Sequence, residues 1–300
     1  MRCGYPLIVG GRAFGCGQCF NCRVNQRRIW THRLMLEAKD HAESCFVTLT
    51  YDEDHLPEDR SLSPDHLRNY LKRLRKKLDP IKLRYFACGE YGDKTDRPHY
   101  HLALFGTVGC RKGITAPNRN GECCETCDTQ RRIWGYGNVF IGQLTEQSAA
   151  YIVGYVVKKI TNPMGKEELA GRHPEFARMS NRPGIGAGFM DEVASTLLEH
   201  RLQDSLEDVP MALRHGKRVW PLGRYLRRRL RTRIGREPNA PVAIQQQMEE
   251  ELRPVREAAF ATAANGFKEI AFREALIAEM EGVTKRTELV HRFRNKGKYL

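Results

Sequence analysis

Two histidines separated by one residue are the feature of this sequence that most directly suggests chemistry. His99 and His101 lie in a segment, 98–105, whose apolar and aromatic residues predict a buried β-strand. Side chains alternate between the faces of a strand, so both imidazoles point the same way, roughly 6.5–7 Å apart along the chain. Such a pair can bind one divalent metal ion. Two exposed histidines on an ordinary strand would give the same pattern, so both interpretations stay open at this point.

A carboxylate on the preceding strand is the candidate third ligand. Glu90 ends the predicted strand 83–90, which forms a hairpin with the histidine strand. Because paired strands lie roughly 5 Å apart, we expect Glu90 beside His99. Imidazole and carboxylate ligands suit Mn²⁺, and they suit Mg²⁺ when water and phosphate oxygens complete an octahedron. Such an ion would polarise a phosphoryl oxygen and hold a phosphate in place.

A predicted helix after Thr145 carries possible nucleophiles. Tyr151, Tyr155 and Lys158 share one stripe of this helix, because residues three or four apart are neighbours on a helix surface. A phenol with a pKa of about 10 needs a metal, a phosphate or a cation such as Lys158 to assist its attack. An amphipathic helix that packs its tyrosines on a sheet is the structural alternative. With the metal ligands, the helix predicts an enzyme that breaks DNA through a tyrosine–phosphate bond.

The elements that would position these residues are strands and helices in mixed order. The sequence predicts strands at 44–50, 83–90, 99–105 and 138–142, and helices at 26–40, 64–78 and from 145 to the proline at 163. Ser63 and Pro64 are a favoured N-cap and first helical residue. This order favours an α+β fold, in which helices back a central antiparallel sheet that carries the two histidines.

Two regions are expected along the chain. Residues 1–165 would form the catalytic domain with a Cys-rich, loop-built segment at 1–25, and residues 166–300 a basic, mainly helical region that binds DNA. The chain has 300 residues, 41% of them apolar, and a net charge of +14, which favours a soluble protein with a polyanionic partner. Nucleic acid is the first candidate and an anionic membrane surface the second. No long apolar stretch or secretion signal is apparent, so we expect a reducing cytoplasm.

Basic residues on two predicted helices and beside the tyrosines are candidates for contact with a DNA backbone. They are Arg73, Lys76, Lys159, Arg224, Arg227, Arg228 and Arg231. A positive groove with aromatic side chains is typical of single-strand binding, but charge runs are also common on solvated faces. The sequence contains no phosphate-binding loop of the helicase type, so unwinding would fall to another protein.

Cysteines form two candidate metal-binding groups. Cys3, Cys16, Cys19 and Cys22 offer four thiolates in a small Gly-rich segment, a pattern typical of structural Zn²⁺, with free thiols as the alternative. The polar insertion at 107–132 contains the second group, which consists of Cys110, Cys123, Cys124 and Cys127. Its two adjacent cysteines make shared ligation of one ion less favourable.

Several of these segments together resemble a known family. They are Phe46-Val-Thr-Leu-Thr50, Cys88-Gly-Glu90-Tyr-Gly92, Arg97-Pro-His99-Tyr-His101 and Tyr151-x-x-x-Tyr155-Val-Val-Lys158-Lys159. In this order they are similar to the motifs of HUH endonucleases that initiate rolling-circle replication, above all those of gokushoviruses, which are single-stranded DNA bacteriophages of the microvirus group. Cys16-Gly-Gln-Cys19-Phe-Asn-Cys22-Arg23 also resembles a gokushovirus motif. The resemblance covers roughly residues 3–160.

The resemblance implies a specific activity. His99 and His101, with Glu90 as third ligand, would bind Mg²⁺ or Mn²⁺, and a tyrosine would attack single-stranded origin DNA. This leaves a 5′-phosphotyrosine and a free 3′-hydroxyl, and a second tyrosine later allows the circle to close. The implied partners are single-stranded and replicative-form phage DNA, a host helicase and a host polymerase, in the cytoplasm of the bacterial host.

The sequence departs from the family at two points. Tyr155 is followed three residues later by Lys158, whereas Tyr151 is followed by Gly154, so Tyr155 is the expected primary nucleophile. Tyr100, between the histidines, is bulkier than the usual apolar residue and is expected to face the core. Two alternatives remain: an HUH transposase or relaxase, and a non-catalytic, zinc-stabilised nucleic-acid-binding protein whose tyrosines only stack on bases.

Overall fold

The structure is a computed structural model that describes residues 3–92, 95–161, 169–264 and 266–296; the side chains of residues 156, 158–161 and 290–296 are outside this description. The strands are β1 (Leu7–Val9), β2 (Arg12–Phe14), β3 (Ser44–Tyr51), β4 (Arg84–Tyr91), β5 (Pro98–Phe105), β6 (Gly137–Gln143), β7 (Phe176–Met179), β8 (Ala212–His215) and β9 (Arg218–Pro221). The helices are α1 (Phe20–Lys39), α2 (Pro64–Leu78), α3 (Glu125–Trp134), α4 (Glu146–Thr161), α5 (Phe189–Glu199), α6 (Gly223–Arg233), α7 (Val242–Thr262) and α8 (Lys268–Lys296).

A five-stranded antiparallel sheet in the order β6-β3-β5-β4-β7 organises residues 29–196, which form one compact unit. The histidine strand, β5, is the middle strand and pairs with β3 and β4. Strands β4 and β5 form the predicted hairpin, in which Glu90 lies directly opposite His99. The structure therefore confirms the α+β class and the central antiparallel sheet that carries both histidines.

Helices cover both faces of this sheet. On one face, α2 and α3 pack over a core in which Tyr70, Tyr100 and Trp134 are fully buried. On the other face, α4 packs Ile152 and Val153 against residues of β4 and β5. Alternation along β5 explains the division, because successive side chains of a strand point to opposite faces.

The start of α2 follows the sequence prediction. Ser63 is the N-cap, and its side chain accepts a hydrogen bond of 3.2 Å from the backbone N–H of His66. Pro64 is the first helical residue, where its missing N–H costs nothing. The apolar residues of this helix, Leu67, Leu71 and Leu74, are buried at helical spacing.

Two segments contain more regular structure than the sequence predicts. Helix α1 begins at Phe20 rather than near residue 26, and it follows a β1–β2 hairpin that turns through Gly10 and Gly11 at positive φ. Helix α3 lies inside the expected polar insertion. The helix was hidden because its polar residues include Gln130, which is buried and accepts a hydrogen bond from the hydroxyl of Tyr70. Gly135, left-handed at the end of α3, is the signal that could have revealed it.

Residues 1–28 and 197–300 form a second compact unit. Here β1 and the helices α7 and α8 enclose a small core that includes Ala259, Phe272 and Leu276, and β8 pairs with β9. The helical C-terminal region is confirmed. The predicted domain boundary near residue 165 stays a prediction, and the sheet draws its fifth strand from 176–179. Among the described residues, no helix has the length and apolar character needed to cross a membrane.

Candidate metal and tyrosine site

Glu90, His99 and His101 form one cluster on the sheet. The Nε2 atoms of His99 and His101 lie 2.8 Å and 3.0 Å from Oε1 of Glu90. One ligand atom from each residue lies within 4.8 Å of the other two. Glu90 and His101 are buried, while His99 is partly exposed. The sheet register creates this cluster, because it pairs Glu90 with His99 and leaves His101 one step along the same face.

The hydrogen bonds behind the cluster orient both imidazoles for metal ligation. Nδ1 of His99 donates to the carbonyl of Arg97 at 3.1 Å, and Nδ1 of His101 lies 2.8 Å from the hydroxyl of Thr48. Both Nε2 atoms are thereby directed at Glu90. Although it is so close to Glu90, Nε2 of His101 is buried without a hydrogen bond, as is Oε2 of Glu90. Buried polar atoms of this kind need a partner, and a shared cation would supply one. The donor set therefore fits a divalent ion.

The environment of the cluster favours the charge states that bind metal. Burial raises the pKa of Glu90, but hydrogen bonds from His101 and His99 outweigh it, so the pKa lies below its ordinary value. Burial lowers the pKa of His101 and keeps the ring neutral. Burial also opposes the charged form of His99, yet the hydrogen bond to Glu90 is stronger and the pKa of His99 is raised.

Helix α4 brings both tyrosines to this cluster. Thr145 caps the helix by accepting a hydrogen bond of 3.2 Å from the N–H of Ser148. The hydroxyl of Tyr155 donates to that of Tyr151 at 2.9 Å. Ring centroids of Tyr151 and Tyr155 lie 5.1 Å and 5.7 Å from that of His101. The structure therefore brings together five residues that the sequence singled out, whereas the side chains of Lys158 and Lys159 lie outside those described.

Two further residues contact the cluster, and sequence reasoning gave them no role. Phe46 stacks on His101 with centroids 5.7 Å apart, and its edge contacts Tyr151. Thr48 orients His101 through the hydrogen bond to Nδ1. Both lie on β3, and they share a face because they are two residues apart. That alternation, read together with the pairing of β3 and β5, is the signal that could have identified them.

The structure does not bring the predicted DNA-contacting residues to the cluster. Arg73 and Lys76 are located on α2, which covers the opposite face of the sheet. In the second unit, Arg224 and Arg228 lie on α6, and DNA contact by any of these basic residues stays a prediction.

Arg227 and Arg231 of the second unit contact an acidic residue that precedes the basic run. Their Nη2 atoms lie 2.5 Å and 2.6 Å from Asp208, and Arg231 is buried. These hydrogen bonds hold the pKa of Asp208 below its ordinary value against the opposing effect of burial. Both guanidinium groups are therefore engaged within the protein.

The four N-terminal cysteines also lie together. The sulfur of Cys3 lies 3.5 Å from that of Cys16 and 3.7 Å from that of Cys19. Including Cys22, all four sulfurs lie within 4.8 Å of one another. The backbone N–H of Gly4 donates to the sulfur of Cys19. None of these thiols forms a disulfide.

Comparison with known proteins identifies the region that contains this site. Residues 44–160 match the profile of a family described as replication-associated protein ORF2. The chain is 33% identical over 187 residues to the replication-associated protein VP4 of Bdellovibrio phage phiMH2K, an alignment that covers 60% of this chain and 58% of that protein. It is 34% identical over 187 residues to the replication-associated protein ORF2 of Spiroplasma virus 4, covering 59% and 57%.

A third relative has the same kind of description. Replication-associated protein ORF4 of Chlamydia phage 1 is 32% identical over 151 residues, which are 48% of this chain and 38% of that protein. The chain thus spans less than two thirds of the length of each relative. No solved structure matches it significantly. The matched segment includes Glu90, both histidines and both tyrosines, and the chain belongs to this family of phage replication-associated proteins.

Proposed function

We propose that this protein initiates rolling-circle replication of a phage genome by nicking single-stranded origin DNA with a tyrosine. One observation carries the proposal: two tyrosine hydroxyls and a Glu–His–His cluster lie on one face of one sheet. The family membership and the names of the three relatives, all replication-associated proteins of phages, support the same conclusion.

In this proposal Glu90, His99 and His101 hold Mg²⁺ or Mn²⁺. The bound ion supplies Lewis-acid polarisation of a phosphoryl oxygen. Thr48 fixes the orientation of His101, and hydrogen bonds of this kind to metal ligands affect affinity or activity by roughly 10–100-fold when removed. Phe46 covers one face of the His101 ring and excludes water from it.

Tyr155 is the proposed primary nucleophile. Its oxygen attacks phosphorus and forms a P–O bond, the 3′-oxygen of the preceding nucleotide leaves, and that oxygen takes up a proton to become the 3′-hydroxyl. Tyr151, in hydrogen-bond contact with Tyr155, receives the phenolic proton or passes it to solvent. Lys158, three residues further along the helix, would stabilise the developing negative charge.

Tyr151 makes the second cleavage. When the origin has been regenerated, its hydroxyl attacks the new phosphodiester, and the released 3′-hydroxyl displaces Tyr155 from the first strand to close the circle. The number of phosphodiester bonds is conserved in each exchange, so no nucleotide cofactor is required. Host helicase and polymerase, acting in the bacterial cytoplasm, would supply unwinding and synthesis. Single-stranded and replicative-form DNA are the proposed substrates.

The N-terminal cysteines have a structural part in the proposal. Cys3, Cys16, Cys19 and Cys22 would hold Zn²⁺, since tetrahedral zinc with bonds of about 2.3 Å requires sulfurs about 3.8 Å apart. The distances of 3.5 Å and 3.7 Å from Cys3 are near this value. Zinc would order a segment whose strands β1 and β2 have only three residues each.

The decisive experiment looks for a covalent protein–DNA adduct. Single-stranded fragments that cover the genome encoding this chain are incubated with protein and Mn²⁺, then separated on a denaturing gel. We expect a metal-dependent adduct with wild type, none with the double variant Tyr151→Phe/Tyr155→Phe, and a stronger loss for Tyr155→Phe than for Tyr151→Phe. Tyr100→Phe, on the opposite face, is the matched control. Folded protein that binds the fragments without an adduct at any metal concentration would support the non-catalytic alternative instead.

A further inference from the structure

The four cysteines around α3 form a second tight cluster, separate from the proposed active site. The sulfur of Cys110 lies 3.7 Å from that of Cys123 and 3.9 Å from that of Cys124. With Cys127, all four sulfurs lie within 4.8 Å of one another. A disulfide would need a sulfur–sulfur distance of about 2.05 Å. Tetrahedral zinc instead requires about 3.8 Å, which the two measured distances bracket.

The sequence argument against this site was the adjacency of two cysteines, and the structure removes it. Cys123 and Cys124 both direct their sulfurs towards Cys110, at nearly equal distances. Cys124 is the N-cap of α3 in an extended conformation, and its side chain makes no capping hydrogen bond. Cys127 lies in the first turn of the same helix. The chain therefore bends between the two adjacent cysteines and the helix in a way that keeps all four sulfurs together.

Each sulfur also has a hydrogen-bond donor that would stabilise a thiolate. Backbone N–H groups of Lys112, Ala116 and Arg111 donate to Cys110, Cys123 and Cys124, in that order. The hydroxyl of Thr115 lies 3.4 Å from the sulfur of Cys127. Hydrogen bonds to charged acceptors are stronger than those to neutral ones, so this shell favours four ligating thiolates over four neutral thiols.

We propose that Cys110, Cys123, Cys124 and Cys127 bind a structural Zn²⁺ ion that fastens the segment 106–124 to the open edge of the central sheet. The segment already reaches that edge, because Ile114 makes a β-bridge to Gly142 of β6. Strand β6 is the outermost strand on its side of the sheet. An uncovered edge strand presents unpaired backbone groups and invites aggregation.

The contacts of Thr115 link the ion site directly to the covered strand. The N–H of Thr115 donates to the carbonyl of Ile141 at 3.0 Å, and the N–H of Ile141 donates to the hydroxyl of Thr115 at 2.7 Å. The same hydroxyl contacts Cys127. On the other side of the cluster, α3 carries Trp134, whose indole N–H donates to the carbonyl of Thr50. One ion would thus hold the edge cover and the helix in a common position.

The test measures zinc in the full-length protein. We expect Cys123→Ser/Cys124→Ser to contain one zinc ion fewer per chain than wild type by native mass spectrometry. Cys45→Ala, which alters a buried cysteine outside both clusters, is the matched control and is expected to keep the wild-type zinc content. A folded Cys123→Ser/Cys124→Ser protein with unchanged zinc content would overturn the proposal.

A second measurement uses wild-type protein, in case the cysteine variants do not fold. Chelation of zinc is expected to accelerate hydrogen exchange in peptides that contain residues 137–143 by roughly tenfold or more, while the middle strand 98–105 stays protected. Equal exchange at 137–143 with and without zinc would overturn the clamp. Neither result depends on DNA nicking, so the zinc proposal and the nickase proposal succeed or fail separately.

Discussion

The two faces of strand β5 differ in chemistry although they share one backbone. His99 and His101 point to a face that leaves buried polar atoms without hydrogen bonds and holds two tyrosine hydroxyls nearby. Tyr100, between them, points to a face where its hydroxyl is fully engaged. That hydroxyl accepts a hydrogen bond of 2.8 Å from the N–H of Ser63 and lies 2.8 Å from the hydroxyl of Tyr51.

This difference indicates where stability and activity reside. Satisfied buried hydrogen bonds stabilise a fold, whereas unsatisfied groups mark sites where a ligand or a reaction supplies the missing partner. Substitutions on the tyrosine–histidine face should therefore change activity with little effect on unfolding. Substitutions on the face of Tyr100 should do the opposite. The following variants test this separation in order of decreasing expected effect on nicking.

Removal of both nucleophiles should have the largest effect. Tyr151→Phe/Tyr155→Phe should abolish the covalent adduct, because no hydroxyl remains to attack phosphorus. Tyr151 is 43% exposed, so the free energy of unfolding should change by less than about 1 kcal/mol. Adduct yield on denaturing gels and urea denaturation check the two parts. A large loss of stability would break the proposed separation between the faces.

Loss of one metal ligand should be the next largest. Glu90→Gln keeps the size of the side chain but removes its charge, and nicking should fall by roughly 10²–10⁴-fold because several kcal/mol of charge stabilisation are lost. Binding of Mn²⁺, followed by calorimetry, should weaken in parallel. Unchanged Mn²⁺ affinity would show that the ion, if needed, lies elsewhere.

Removal of the hydrogen bond behind His101 should have an intermediate effect. Thr48→Val keeps the shape of the side chain and leaves Nδ1 of His101 without its partner at 2.8 Å. Nicking should fall by roughly 10–100-fold, with weaker Mn²⁺ binding. Raised Mn²⁺ concentration should restore part of the rate, which distinguishes a positioning role from a general loss of structure.

Substitution on the opposite face should affect stability alone. Tyr100→Phe removes a hydroxyl that contacts Tyr51 and Ser63, and the free energy of unfolding should fall by about 1–3 kcal/mol because buried partners lose a hydrogen bond. Nicking, measured well below the unfolding midpoint, should stay within about twofold of wild type. A tenfold loss of nicking would show that the two faces are coupled through β5.

The sequence predicted those parts of the site that depend on local periodicity. Alternation along one strand placed His99 and His101 on the same face, and a short hairpin placed Glu90 opposite His99. Helical spacing predicted that Tyr151 and Tyr155 would be neighbours. None of these inferences required knowledge of which elements pack together beyond one hairpin.

Other features depend on contacts between distant segments, which local patterns do not contain. Thr48 contacts His101 only because β3 is the neighbour of β5 in the sheet. Asp208 precedes the basic run of α6, so the pairing of Arg231 with an acid could not be inferred from the run itself. Helix α3 was missed because its buried Gln130 looks like a surface residue until Tyr70 is placed against it.

The discontinuous unit of residues 1–28 and 197–300 has a consequence for the order in which the chain folds during translation. The N-terminal cysteines leave the ribosome first, yet Asn21 bonds to Thr284 and Gly11 to Glu269, which are synthesised more than 250 residues later. At about 5–20 residues per second, the N-terminal segment waits on the order of ten seconds or more for these partners. The continuous unit 29–196 can meanwhile complete its own sheet. Zinc on the four N-terminal cysteines would give the waiting segment a local fold of its own and shield four thiols from oxidation until the rest of the unit arrives.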